Sequence, residues 1–157
     1  MDTSLFLGQL GAALAIGVAA LGSALGCGAA GQSAAGAWAR DAKAGKGLRF
    51  IYVILVSMPI TQTLYGFIVM SQMAGKFDMV ADNAGLLFGI GLLTGLGEFG
   101  SAFMQGRIGA AGCRMLSESE GRGFALVVIA MGIAETVGVF TFVFMLNLLN
   151  TIGAPAA

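Results

Sequence analysis

The sequence has little charge and contains no histidine. Only 10% of its 157 residues are Asp, Glu, Lys or Arg, and their formal charges cancel. Basic residues this few and scattered argue against nucleic-acid binding, and no metal-ligand spacing exists. Cys27 and Cys113 lie within apolar segments and are interpreted as small packing residues. No nucleotide-binding motif is present, so we expect no catalytic centre in this chain.

Long apolar segments make up most of the chain. Hydrophobic residues make up 57% of the chain, and polar residues collect in short stretches between four apolar segments. The segments span residues of about 4–39, 47–73, 83–117 and 122–152. Each is long enough to cross ~30 Å of hydrocarbon as a helix. We therefore predict an all-α membrane protein with four transmembrane helices.

The basic residues predict the orientation. Seven of the eight Lys and Arg residues lie in or towards the loops after the first and third segments: Arg40, Lys43, Lys46, Arg49, Arg107, Arg114 and Arg122. Only Lys76 lies in the middle loop. By the positive-inside rule these two basic loops are cytoplasmic, and both termini lie outside the cell membrane. Met1-Asp2-Thr3 contains no basic region, so we expect no cleavable signal.

The chain repeats one plan. Gly22-Ser23-Ala24 is echoed by Gly100-Ser101-Ala102. Each half consists of a glycine-rich segment, a short polar loop and a bulkier segment. We predict two tandem helical hairpins, residues 1–75 and 76–157, that run the same way through one membrane domain as a parallel repeat.

Glycine is concentrated in the first and third segments. Small residues four apart, such as Gly22 and Gly26 or Gly91 and Gly95, let helices approach closely in lipid. Because one pair of hairpins cannot use so much small surface, we infer that copies pack side by side, with these segments on an inner circle. The alternative is close packing within a single four-helix bundle.

Glu135 is the most informative residue. It is a lone acid in the apolar run from Phe124 to Leu149, with no basic residue near it. An ionised carboxylate at mid-bilayer costs about 2.5–3.5 kcal/mol on insertion scales, and such residues usually mark ion pathways. We therefore expect the chain to carry a cation across a membrane on Glu135.

Two amides are predicted at the same depth. Gln105 precedes the middle of the last loop by about as many residues as Glu135 follows it, and Gln62 lies a similar distance beyond the first loop. Antiparallel helices therefore bring Gln62, Gln105 and Glu135 to one level. The amides could instead bridge helices structurally.

The second segment adds further oxygen atoms. Thr61 and Tyr65 share a helix face, and Pro59 loosens the helix so that the Met58 carbonyl becomes available. One carboxylate, two amide oxygens, one hydroxyl and one carbonyl together provide the oxygen ligands of a sodium cage. A proton needs only the carboxylate and one acceptor. Thr61 could instead bond to its own helix, and Tyr65 could cap the site by bonding Glu135.

Glu98 is a second acid in an apolar segment. It lies seven residues from Gln105, on the same helix face but roughly 10 Å nearer the outside. It could face a water-accessible inner surface, stay protonated or bond a neighbouring helix. Gln32 and Trp38 are interpreted as interfacial residues.

These residues together resemble the proteolipid of V-type rotary ATPases, especially the K subunit of bacterial sodium-pumping enzymes. The resemblance covers the whole chain. Its motifs are Pro59-Ile60-Thr61-Gln62-Thr63-Leu64-Tyr65-Gly66, Gln105-Gly106 and Ala134-Glu135-Thr136. Met58 and Ile60 depart from the family's pattern, and a backbone ligand tolerates the first change.

The resemblance implies a homo-oligomeric ring that turns as a rotor in the lipid, against a stator subunit with an essential arginine and attached to central-stalk subunits. Cations would bind at Glu135 and travel nearly a full turn, coupled to ATP hydrolysis or synthesis. The sodium ligands it implies are the Met58 carbonyl, Thr61, Gln62, Gln105 and Glu135, with Tyr65 bonding the carboxylate. A proton-carrying ring of the same family remains an alternative.

Two other classes of function stay open from the residues alone. A small cation-coupled exporter would also need a membrane acid, but its aromatic residues should lie beside Glu135, whereas Trp38 and Tyr52 are expected near the cytoplasmic end. A purely structural membrane scaffold would leave Glu135 without a role.

Overall fold

The computed structural model describes residues 2–153, and every regular element in that range is helical. The helices are α1 (Thr3–Lys43), α2 (Ile51–Ser57), α3 (Thr61–Ala74), α4 (Val80–Glu118) and α5 (Phe124–Asn150). Two 3₁₀ turns, Met58–Ile60 and Phe77–Met79, lead into α3 and α4.

Four helical spans are long and apolar enough to cross a membrane, and α2 and α3 together form the second of them. The spans are Thr3–Lys43, Ile51–Ala74, Phe77–Glu118 and Phe124–Asn150. The predicted all-α class with four membrane-crossing helices is therefore confirmed. The predicted first boundary at residue 39 is too early, because α1 continues to Lys43, where Arg40 and Lys43 in the last turn suit the negative end of the helix dipole.

Pro59 divides the second span without ending it. A prolyl nitrogen carries no hydrogen, so the Leu55 carbonyl cannot receive the usual helical hydrogen bond at this position. The chain tightens into the 3₁₀ turn Met58–Ile60, in which the Thr61 amide donates to the Met58 carbonyl. Helix α3 then continues from Thr61, so the proline places a change of helical pitch directly before the polar residues.

Helices α1 and α4 lie with their backbones in contact. A Cβ atom added at Gly91 would overlap the backbone of Gly11, and one added at Gly106 would overlap the backbone of Gly26. Only glycine permits this approach, because any side chain would push the helices apart. Helix α3 packs on α1, and α5 packs on α4.

The contact between α1 and α4 shows that one chain can use more of its small surface than the sequence analysis assumed. Contacts within one chain use much of the small surface that we assigned to contacts between copies. A further set of glycines on α1 and α4 has no described atom within 4 Å of an added Cβ: Gly17, Gly28, Gly36, Gly85, Gly89 and Gly100. These positions leave open, shallow surface on which another helix can pack closely.

A buried polar layer separates two apolar clusters at opposite ends of the bundle. One cluster includes Met73, Leu87 and Leu149, and the other includes Tyr52, Leu55 and Met131. The buried polar side chains between them are Ser23, Gln62, Thr94, Glu98, Ser101 and Gln105. Because the apolar clusters exclude water on both sides, these polar groups depend on one another for hydrogen bonds, and Ser23, Thr94 and Glu98 have no partner among the described residues.

The basic loops meet at one end of the bundle. The buried Asp41 carboxylate accepts hydrogen bonds from the Tyr52 and Ser117 hydroxyl groups, both at 2.9 Å. At the surface of this end, Arg40 pairs with Glu118 at 2.8 Å and Lys46 with Glu120 at 2.7 Å. The other end holds Lys76, whose ammonium group donates to the Ile152 carbonyl at 2.8 Å.

Candidate ion-binding site in the polar layer

Glu135 projects from α5 towards α3 and α4. Its Oε1 accepts from the Thr61 hydroxyl at 2.9 Å, and its Oε2 accepts from the Gln105 side-chain amide at 3.1 Å. The side chain is partly buried, and Leu64, one turn after Thr61 on the same face of α3, is 54% exposed. The carboxylate therefore lies at the boundary between the polar layer and an apolar outer surface.

The two glutamines form a chain of hydrogen bonds through the layer. The Gln62 amide donates to Ser101 Oγ at 3.0 Å and to Gln105 Oε1 at 3.2 Å. The Gln105 amide also donates to the Met131 carbonyl at 3.2 Å. Both glutamines are fully buried, and these bonds favour the orientation that each amide has in this structure.

Oxygen atoms crowd around the hydroxyl group of Thr61. Its Oγ1 lies 2.9 Å from Glu135 Oε1, 3.1 Å from the Met58 carbonyl oxygen and 3.2 Å from Gln62 Oε1. A hydroxyl group carries a single hydrogen, so it can donate to only one of the three at a time. The cluster thus holds more oxygen lone pairs than donors, which is the chemistry that a hard cation satisfies.

The structure brings together five of the six residues that the sequence singled out: Met58, Thr61, Gln62, Gln105 and Glu135. Gln105 presents its NH₂ group to Glu135 and its oxygen to Gln62. Its oxygen can reach a cation beside the carboxylate only if the amide turns about its last bond.

Tyr65 stands slightly apart from the cluster. Its ring stacks on Phe142, with centroids 5.1 Å apart. Its side chain lies close to the Glu135 carboxylate, but this contact is looser than the hydrogen bonds that Thr61 and Gln105 make to the same group.

The surroundings of Glu98 exclude two of the three alternatives that the sequence left open for this residue. Its side chain is 0% exposed, so it does not face water, and neither carboxylate oxygen has a hydrogen-bond partner among the described residues, so it does not bond a neighbouring helix. It faces α5 at Gly138, where an added Cβ would lie 2.7 Å from Glu98 Oε2.

Sequence reasoning missed Ser101 as a member of this layer. Its Oγ accepts from Gln62 and donates to the Ala134 carbonyl at 3.0 Å, and so it links α3, α4 and α5. Two signals could have found it: Ser101 lies one turn before Gln105 on the same helix face, and it belongs to the repeated Gly-Ser-Ala motif.

The remaining polar candidates lie away from this layer. Gln32 is exposed, and the Trp38 indole donates to the Arg49 carbonyl at 2.9 Å, near the basic loops. Cys113 is buried in an apolar cluster, and Cys27 is partly buried.

Comparison with known proteins assigns the family. The family model of the ATP synthase C subunit matches residues 10–73 and 88–148. The chain is also 39% identical over 119 residues to the A-type ATP synthase subunit K of Methanocaldococcus jannaschii. That alignment covers 75% of this chain and 50% of the relative, so the chain spans about half the length of the curated relative it matches.

These matches confirm the resemblance drawn from the sequence motifs. The members of this family are non-catalytic membrane proteins that assemble into rings, which agrees with the four apolar spans and with the expectation that the chain has no catalytic centre. The chain belongs to the family of ATP synthase C subunits.

Proposed function

We propose that this chain is the ion-carrying subunit of a rotor ring in a rotary ATPase, and that Glu135 holds the ion. We favour sodium over the proton as that ion. The observation that carries the proposal is the cluster of four oxygen atoms from Met58, Thr61, Gln62 and Glu135, which share one hydroxyl hydrogen. Sodium is a hard cation that takes oxygen ligands, and Gln105 supplies a fifth when its amide turns.

The position of Glu135 suits a carrier that moves with the ring. A carboxylate at the edge of an apolar surface is tolerated in lipid only when a cation neutralises it. It can ionise opposite a positive charge, which an essential arginine of a stator subunit would supply. Rotation and ion exchange are then coupled without a gate in this chain.

We further propose that the chain is a duplicated hairpin, with residues 1–75 and 76–157 as its halves, in which Gln62 and Glu135 occupy equivalent places. Only the second half kept the acid, so each chain would carry one ion. Each charge that crosses 100 mV is worth about 2.3 kcal/mol, and a ring of many chains divides the free energy of ATP hydrolysis among several ions. Central-stalk subunits would pass the torque to the catalytic subunits.

The charge distribution supports the predicted orientation. The ion pairs Arg40–Glu118 and Lys46–Glu120 join the first and last loops at one end of the bundle, whereas Lys76 lies at the other end. By the positive-inside rule the paired loops face the cytoplasm and both termini face outside.

Carbodiimide labelling tests the ion directly, because the reagent modifies a protonated carboxyl group and not a carboxylate that ligates sodium. We expect Na⁺ to protect Glu135 from labelling in purified rings at neutral pH. Thr61→Val should weaken this protection, whereas Thr63→Val, a matched change outside the oxygen cluster, should leave it intact. If Na⁺ does not change the extent of Glu135 labelling at neutral pH, the site carries protons instead.

A further inference from the structure

Glu98 is an acid that the proposed transport cycle does not use. It lies on α4 with Thr94 one turn before it and Ser101 one turn after it. Its side chain is 0% exposed, and both of its oxygen atoms lack a partner within residues 2–153. Glu135, in contrast, is only partly buried and accepts a hydrogen bond at each oxygen.

A neighbouring copy in a ring cannot supply the missing partner, because the carboxyl group is completely enclosed by its own chain. The cover is α5 at Gly138: a Cβ built there would lie 2.7 Å from Glu98 Oε2 and 2.9 Å from Ser101 Oγ. A residue with a side chain at position 138 would occupy the space that the carboxyl group now fills.

No basic side chain balances Glu98 either. Residues 3–39 and 50–75, which span most of α1 and all of α2 and α3, contain no charged residue, and Glu135 is the only charged residue of α5. On α4 the nearest basic residue, Arg107, is exposed and stacks over Phe103. The titratable groups close enough to interact with Glu98 are Glu135 and Tyr65, and neither can provide a positive charge.

We propose that Glu98 is a second cation-binding site and that the cation it binds is a proton. The carboxyl group stays protonated whether or not sodium occupies the site at Glu135. An ionised carboxylate that is buried without donors or a counter-ion is strongly disfavoured. A proton removes the charge and makes the group a donor. The Thr94 hydroxyl, one turn away on the same face and itself buried without a partner in the described chain, would become an acceptor after a rotation of its side chain.

The same surroundings exclude sodium from Glu98. Sodium needs several oxygen ligands at once. Ser101 Oγ, the other oxygen atom that faces Gly138, already accepts from Gln62 and donates to the Ala134 carbonyl. The site therefore distinguishes a proton from sodium by the number of oxygen atoms it offers, and this inference stands whether or not Glu135 binds sodium.

Infrared spectroscopy of the purified ring in deuterated buffer tests the proposal, because a protonated carboxyl group absorbs at a frequency separate from that of a carboxylate. At neutral pH and high Na⁺ we expect one protonated-carboxyl band per chain. Glu98→Gln should remove it. Glu118→Gln, a matched change at an exposed acid that pairs with Arg40, should leave it unchanged.

A second variant tests the proposal even if Glu98→Gln fails to fold. Glu135→Gln leaves Glu98 in place, and its spectrum should retain the band at every Na⁺ concentration. Persistence of the full band in Glu98→Gln, or its absence from Glu135→Gln, would overturn the proposal. Loss of the band from Glu135→Gln on addition of Na⁺ would also overturn it, by showing that Glu98 takes sodium.

Discussion

Glu135 and Glu98 are two acids of the same polar layer in opposite surroundings. Glu135 accepts hydrogen bonds from Thr61 and Gln105 and is only partly buried, whereas Glu98 is enclosed and has no partner in the described chain. The chemical group is the same in both cases. The difference in donors and access suits Glu135 to exchange an ion and Glu98 to retain one.

The largest effect is expected from Glu135→Gln. The amide cannot balance the charge of a cation, so coupled ion transport in reconstituted vesicles should be abolished, while the ring should still assemble because the change removes charge rather than packing. Glu98 remains in this variant as the one acid of the polar layer. Residual coupled transport would mean that Glu98 can replace Glu135, and the contrast between the two acids would fail.

A steric change tests the enclosed acid. In Gly138→Ala the new Cβ would lie 2.7 Å from Glu98 Oε2 and 2.9 Å from Ser101 Oγ. Overpacking of this kind destabilises by about 1–3 kcal/mol, and we expect a lower temperature of ring dissociation on detergent gels.

The matched control for this change is Gly132→Ala on the same helix, where an added Cβ meets no described atom within 4 Å. It should leave the dissociation temperature unchanged or raise it slightly, because alanine favours helix. Equal effects at positions 132 and 138 would contradict the close cover over Glu98.

The oxygen cluster at Glu135 should tolerate the loss of one member. Thr61→Val keeps the shape of the side chain but removes the hydroxyl oxygen at the centre of the cluster. We expect sodium affinity to fall about tenfold, which corresponds to about 1.4 kcal/mol, as measured by the Na⁺ concentration that half-protects Glu135 from carbodiimide. An unchanged affinity would remove Thr61 from the ligand set.

The smallest effect is expected at a third acid, Glu120, which lies in the last loop. The Lys46 ammonium group, 2.7 Å away, lowers the pKa of Glu120 from its usual value. The stabilisation from this pair is present above the ordinary pKa of the carboxyl group and is lost as pH falls through the lowered pKa. Lys46→Met should return the pKa towards its usual value in an NMR titration without a measurable loss of ring stability, because exposed pairs contribute little.

Most of the fold followed from composition. Four continuous apolar runs determine four spans, and the repeated glycine motifs indicate which two helices approach closely. The sequence could not show that Gly11 faces Gly91 and Gly26 faces Gly106 within one chain. A glycine allows another helix to approach closely, but it does not determine which helix that is. Glycines with no described atom near an added Cβ, such as Gly17 and Gly100, remain available for contacts between copies.

The level of the polar layer could also be predicted, because a helix rises a fixed distance per residue. Counting from the loops brought Gln62, Gln105 and Glu135 together, and their hydrogen bonds join them. Counting could not give the direction of each amide or the stacking of Tyr65 on Phe142, since both depend on side-chain packing between helices. Nor could it show that Glu98 is enclosed, because that follows from Gly138 on a different helix.

Equilibrium binding of radioactive Na⁺ to the purified ring tests the central claim most directly. The account predicts one exchangeable sodium ion per chain at neutral pH, lost in Glu135→Gln and retained in Glu118→Gln. A ring that binds no sodium, or that binds as much sodium after Glu135→Gln as before, would contradict it.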